Sequence, residues 1–267
     1  MLANAVEVAR LGVANGVFSF GYLLGPAVGT LVGGLLMARF GWRPVFIVFG
    51  TLSLLWLWPW LRARVDAPIG SGGEVEEPPA LGLLLRQRAL WGASVGHFAS
   101  NYTYYFILSW LPLYLVKARG FSMGSMAWIA SWAYLLNALS ALAMGRLQDH
   151  WISSGRSTTL VYKGVIGLSH AVAMFCMAGM VLLPEHGSIA ALLLYCIIAG
   201  SSYPGLFAIP QIVAGMIAPS VTGWLVYQTG RYEFAFALAA VVNIFGFVGW
   251  VFVLPSVRPI DWRRAHD

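Results

Sequence analysis

Stretches without a single Asp, Glu, Lys or Arg fill most of this 267-residue chain, and they recur at the length of a membrane span. They run Leu11–Ala38, Pro44–Leu61, Ala89–Val116, Gly120–Gly145, Gly164–Pro184, His186–Gly230 and Phe234–Val257. A helix needs about 20 mostly apolar residues to cross the hydrocarbon core. A soluble helix would show a polar face at the 3.6-residue period, whereas these stretches are apolar all round. The pattern predicts an all-α, polytopic membrane protein.

The number of crossings turns on His186–Gly230. As one helix, Ile189–Gly230 would run about 63 Å, roughly twice the core thickness. It would also carry Pro204, Pro210 and Pro219 inside it. A turn near Ile209-Pro210-Gln211 splits it into two adequate spans and gives eight in all. With the N-terminus cytoplasmic, eight spans place eleven of the 16 Lys and Arg inside and five outside. Seven spans leave nine against seven, so the positive-inside rule selects eight, with both termini cytoplasmic. The location this implies is the plasma membrane. Asp66–Pro79, DAPIGSGGEVEEPP, is too polar and too rich in Pro and Gly to order itself and is expected to be a cytoplasmic linker.

Composition agrees with the pattern: 59% of residues are hydrophobic and 10% charged, against about 25% charged in soluble domains. Thirty glycines suit helices that approach closely in lipid. The net charge of +6 sits at span ends and not in a patch, which argues against a nucleic-acid partner. Cys176 and Cys196 lie in apolar segments and read as small core residues. The first apolar run exceeds the roughly 7–15 residues of a signal-peptide core. HExxH, GxGxxG and P-loop motifs are absent, and neither the histidines nor the cysteines have metal-ligand spacing. An enzyme, a metal site and a cofactor are therefore not expected.

All ten acidic residues lie at span ends, in loops or at termini, so no mid-membrane carboxylate relay is expected. The third span, GHFASNYTYYFILSWLPLYL, carries the most polar chemistry. His97, Asn101 and Tyr105 recur at i, i+4 and i+8 and share one helix face, with Tyr102 on the neighbouring stripe. Neutral donors and acceptors on one face suit a polar substrate that must later be released. The competing reading is that they hydrogen-bond to adjacent helices. His170 and Asn243 read as isolated polar residues with packing roles. Gly145, Arg146 and Asp149, with Arg156 beyond, lie after the fourth span. An Asp flanked by arginines there can pair across helices and lock one conformation. The competing reading is topology marking by positive charge.

Four segments together resemble the major facilitator superfamily, and within it the anion:cation symporter branch. They are SFGYLLGPAVGTLVGGLL with FGWRPVFIVFG (Ser19–Gly50), NYTYYF with WLPLYL (Asn101–Leu115), GRLQDHWISSGRS (Gly145–Ser157) and APSVTGWLVYQTG with EFAFALAAV (Ala218–Val241). The resemblance implies a helical bundle that moves a small organic anion in symport with a proton or another cation. It divides the chain into the last two helices of a first half (1–61), an inter-half linker (62–88), a six-helix second half (89–257) and a tail (258–267). Asn101, Tyr102, Tyr105 and His97 would line the substrate path. Gly145, Arg146, Asp149 and Arg156 would form a latch or gate. The resemblance also implies that the family's first four helices are missing and that the chain is shortened around 209–216, near Gln211. Polar groups of the third span would then face lipid, and the chain alone is not expected to complete a transport cycle. The alternative is a non-transporting fragment that partners a separately encoded N-terminal half.

Overall fold

A computed structural model describes residues 10–62, 81–203 and 211–257. Every regular element among them is helical. Helix α1 (Leu11–Phe40) turns at Gly41 into α2 (Trp42–Ser53), which runs through a 3₁₀ turn (Leu54–Trp56) into α3 (Leu57–Arg62). A short α4 (Leu81–Arg86) precedes α5 (Arg88–Leu113), which ends in a π-helical turn (Tyr114–Ala118). Then come α6 (Met123–Ser153), α7 (Thr158–Leu182), α8 (Glu185–Ser202), α9 (Gln211–Thr229) and α10 (Glu233–Val248), the last extended by a π-helical turn (Gly249–Val253).

The segmentation follows the charge-free stretches. The long His186–Gly230 stretch is divided between α8 and α9; of the expected turn near Ile209-Pro210-Gln211, Gln211 opens α9 and the first two residues lie outside the described set. The predicted linker Asp66–Pro79 and tail 258–267 also lie outside it. Six of the helical segments are long and apolar enough to cross a membrane by themselves. Neither α5 nor α9 is among the six. In α5 the reason is visible in its residues: His97, Asn101, Thr103 and three tyrosines dilute its apolar character. Helix termini are set by local chemistry. Ser122 caps α6 by accepting from the Ser125 amide at 3.1 Å. Gly41, Gly120, Gly155 and Gly230 supply the positive φ that the tight turns between helices require.

Successive helices alternate in direction, so the ends sort onto two sides. On one side the start of α1 meets the end of α6, and the Val257 amide bonds Thr159 at the start of α7. On the other side Arg119, just past α5, bonds the end of α7 and the start of α8. Helix α5 packs between α9 and α10, α10 on α7, α7 on α8 and α8 on α6. The most extensive contact is α1 on α6.

The core is aromatic and thioether-rich. Phe106 and Phe236 meet edge-to-face at 4.8 Å, and Met177, Met180 and Leu192 close around them. Outward-facing Leu182, Phe175 and Phe252 are largely exposed, as lipid contacts should be. Helices α2 and α3 bury no residue at all.

Candidate functional site

The α1–α6 seam is built from small residues. Gly12, Gly16, Ser19, Leu23 and Ala27 recur along one buried face of α1. A Cβ at Gly16 would lie 3.1 Å from the Ala141 carbonyl, and one at Gly12 would lie 2.7 Å from the Gly145 carbonyl. Backbone therefore touches backbone, the arrangement small residues allow between helices in lipid. Midway along, Ser131 donates to the Ala27 carbonyl at 2.8 Å.

At the end of that seam Asp149 accepts two backbone hydrogen bonds from the first turn of α1, from Gly12 N at 2.9 Å and Val13 N at 2.7 Å. The first amides of a helix have no intrahelical acceptor, and the helix dipole leaves that end partly positive. A carboxylate satisfies both needs. Asp149 thus pairs across helices, but with a helix terminus instead of an arginine. Arg146 donates to the Leu142 carbonyl of its own helix at 3.3 Å. Arg156 lies over the Trp151 ring at 5.6 Å. Gly145 contributes space, since a Cβ there would collide with the Gly12 carbonyl. Asp149 and Gly145 are therefore brought together, and the two arginines lie apart from them.

The polar face of α5 is buried. His97, Asn101, Tyr102, Thr103 and Tyr104 are all below 5% exposed. The expectation that these groups would face lipid is therefore corrected. Helices α9 and α10 pack on α5, and Tyr22 of α1 and Tyr203 after α8 close over Tyr104 at 6.1 and 5.9 Å between ring centroids. Asn101 donates to the His97 carbonyl at 3.0 Å, which leaves its own carbonyl oxygen available. Both ring nitrogens of His97 lack a partner among the described residues. The Tyr102 hydroxyl lies near that of Thr222 in α9, with neither oxygen at hydrogen-bonding geometry. Tyr105 is half-buried, stacks edge-on to Tyr104 at 5.4 Å and lies over Gly215. Tyr102 and Tyr105 thus lie against α9, and His97, Asn101 and Tyr102 are buried.

A second polar group joins α5, α7 and α10. Asn243 gives its amide hydrogens to Thr103 Oγ1 and the Ala239 carbonyl, both at 2.8 Å. Its Oδ1 is therefore the acceptor that faces His170 Nδ1 at 3.0 Å. Ser100 Oγ lies 3.4 Å from His170 Nε2. His170 and Asn243, read from sequence as isolated, are partners. An adjoining cavity of about 10 Å³ has the room of one water. Sequence reasoning also missed Thr222 and the ring of Tyr22, Tyr104 and Tyr203. The available signal was the density of hydroxyls in otherwise apolar spans.

Residues 1–214 match the profile of the Major Facilitator Superfamily. The chain belongs to this superfamily. Its members are transporters, not enzymes. The chain is 26% identical to the hexuronate transporter of Bacillus subtilis (strain 168), over 99% of this chain and 69% of that protein. It is 25% identical to a probable L-galactonate transporter of Escherichia coli (strain K12), over 97% of this chain and 64% of that protein. It is 24% identical to the chloroplastic ascorbate transporter of Arabidopsis thaliana, over 98% of this chain and 54% of that protein. The first alignment spans 299 positions, more than this chain's 267 residues, so that relative carries segments within the match that this chain lacks.

Proposed function

We propose that this facilitator-superfamily chain takes part in moving a small organic anion, of the sugar-acid class, across a membrane by alternating access. The relatives' names share that chemistry: hexuronate and galactonate are carboxylates, and ascorbate is an acidic sugar derivative. The observation that carries the reading is the α5 face, where both ring nitrogens of buried His97 lack a partner among the described residues and the Tyr102 hydroxyl has only that of Thr222 beside it, short of hydrogen-bonding geometry. Leaving such groups unsatisfied costs about 1–3 kcal/mol each, a cost a bound polar substrate would offset. Asn101, Tyr102 and Tyr105 contact the substrate in this reading, and His97 borders it. Asp149 and Gly145 form a latch on α1, with Arg146 and Arg156 as flanking gate charges. Coupling is to a proton or another cation, in the plasma membrane, with both termini cytoplasmic. The bare face of α2 and α3 is where further helices of the transport unit, including a separately encoded half if one exists, would pack.

The test is uptake of radiolabelled galacturonate into proteoliposomes under an inward proton gradient. One arm holds this chain alone. The other adds the part of the Bacillus subtilis relative that lies outside the match. Gradient-dependent accumulation is expected in the complemented arm. Tyr102→Phe should lower it about tenfold, the worth of one lost hydrogen bond of about 1.4 kcal/mol, with no loss of stability. No accumulation in either arm would sink the transport reading. Accumulation indifferent to the gradient would sink proton coupling.

A further inference from the structure

At the end of the bundle away from Asp149 lies a cavity of about 300 Å³, at the lower end of the roughly 300–1,000 Å³ typical of small-molecule sites. Tyr114, Lys117, Arg119, Arg231, Tyr232 and Glu233 line it. The backbone that forms it is unusual. Beyond Pro112, α5 opens into the π-helical turn Tyr114–Ala118, and the loop from α9 turns at Gly230 with φ 65°. π-helical turns are rare and concentrate at functional sites.

Three cations meet one carboxylate there, and their commitments differ. Arg119 is fixed: Nε donates to the Tyr114 hydroxyl at 2.7 Å, and Nη2 donates to the Met180 carbonyl at 2.6 Å and Ser188 Oγ at 2.5 Å. Its Nη1 makes no hydrogen bond among the described residues, so a guanidinium edge is held in place and unspent. Lys117 is exposed and has no hydrogen bond or ion pair there. Arg231 pairs with Glu233 at 3.4 Å, but their side chains are 63% and 44% exposed, and exposed pairs of this kind hold weakly. Tyr232 stacks edge-on against Tyr114 at 5.7 Å, giving the cavity an aromatic wall.

We infer that this cavity is a capture site for a small organic carboxylate, distinct from the α5 face. The carboxylate would bridge Arg119 Nη1 and Lys117 Nζ, and its carbon skeleton would lie along Tyr114 and Tyr232. The choice of a carboxylate rests on the transport reading above. The concave aromatic wall favours a compact organic anion over a lipid phosphate, which would meet the cations from a flat bilayer surface.

Ala118 lines the cavity, and the native Cys176 and Cys196 are buried. Ala118→Cys therefore provides a local reporter. Its rate of modification by a water-soluble maleimide is measured in phosphatidylcholine nanodiscs with and without galacturonate. Galacturonate is expected to slow modification. Lys117→Gln, an exposed change that leaves the Arg119 bonds intact, should raise the protecting concentration about tenfold. An unchanged rate would overturn the inference. Equal protection by inorganic phosphate would also overturn it, as would protection seen only when phosphatidylglycerol replaces phosphatidylcholine. Uptake without protection removes this site and leaves the transport reading standing. Protection without uptake keeps the site and removes that reading.

Discussion

Replacing Asp149 by Asn changes no more than one atom of the side chain, yet it should loosen the α1–α6 seam. The carboxylate accepts from Gly12 N and Val13 N at 2.9 and 2.7 Å. Hydrogen bonds to a charged group contribute about 1.5–3 kcal/mol each, against about 1 kcal/mol for neutral ones. Asparagine keeps one acceptor and turns an amide N–H₂ towards the other donor. The substitution thus removes one charged bond and weakens the second, and the attraction to the helix dipole goes with them. Because Asp149 is half-buried, we discount the sum to about 2–3 kcal/mol. That is about a 30- to 150-fold increase in the fraction of molecules with this end of the seam open. Ser19→Cys reports it, since Ser19 sits on the same face of α1 at 1% exposure. Its modification by N-ethylmaleimide proceeds only through opening, so the rate should rise by that factor in the Asp149→Asn background. Rates within about twofold of the parent would show that the carboxylate does not hold the seam shut, and the latch role would fall with it.

Gly16→Leu should destabilise the purified protein by about 1–3 kcal/mol through overpacking. Gly21→Leu, whose added Cβ would meet nothing within 4 Å, should be neutral, and thermal unfolding of the pair separates the seam from a general effect of leucine. Asn243→Leu strands His170 Nδ1 and removes the bond donated to Thr103 Oγ1, which still donates to the Ala99 carbonyl. At about 0.6–1.7 kcal/mol for each interhelical bond in a membrane, it should lower the melting temperature by several degrees, and an unchanged melting temperature would refute the network. Tyr102→Phe should melt with the parent, because its hydroxyl has no protein partner among the described residues. A marked loss of stability would show that this hydroxyl is structural.

What the sequence reveals and what it hides divide along contact range. Helix extents follow from local properties: charge-free runs, Ser122 as a cap, glycines where φ must be positive. Asp149 could be singled out because arginines flank it at the end of a span, but its partners lie some 136 residues away on α1. The nearby arginines were therefore the natural candidates, and they turn out to bond their own helix or stack on Trp151. The same limit applies to His170 and Asn243. Each is isolated on its own span, and only the packing of α7 on α10 brings them to 3.0 Å. The face shared by His97, Asn101 and Tyr105 was legible from its i, i+4, i+8 spacing. Its burial was not, because that depends on α9 and α10 packing against α5.

The α1–α6 seam combines two kinds of contact that behave differently under rotation. Along its length, glycine and alanine backbones touch with few side chains interlocked, so one helix can pivot on the other at little steric cost. At one end alone, Asp149 adds directional, charge-assisted bonds that only the closed arrangement satisfies. At the other end of the seam, Gly34 meets Ala127, an apolar contact with no preferred orientation. A seam joined midway only by the neutral Ser131–Ala27 bond, with its charge-assisted bonds at one end alone, favours opening by hinging about the other end. On the proposed latch reading, Asp149 would supply a difference of about 2–3 kcal/mol between closed and open arrangements, enough to bias the equilibrium strongly and small enough for a ligand's differential affinity to reverse it.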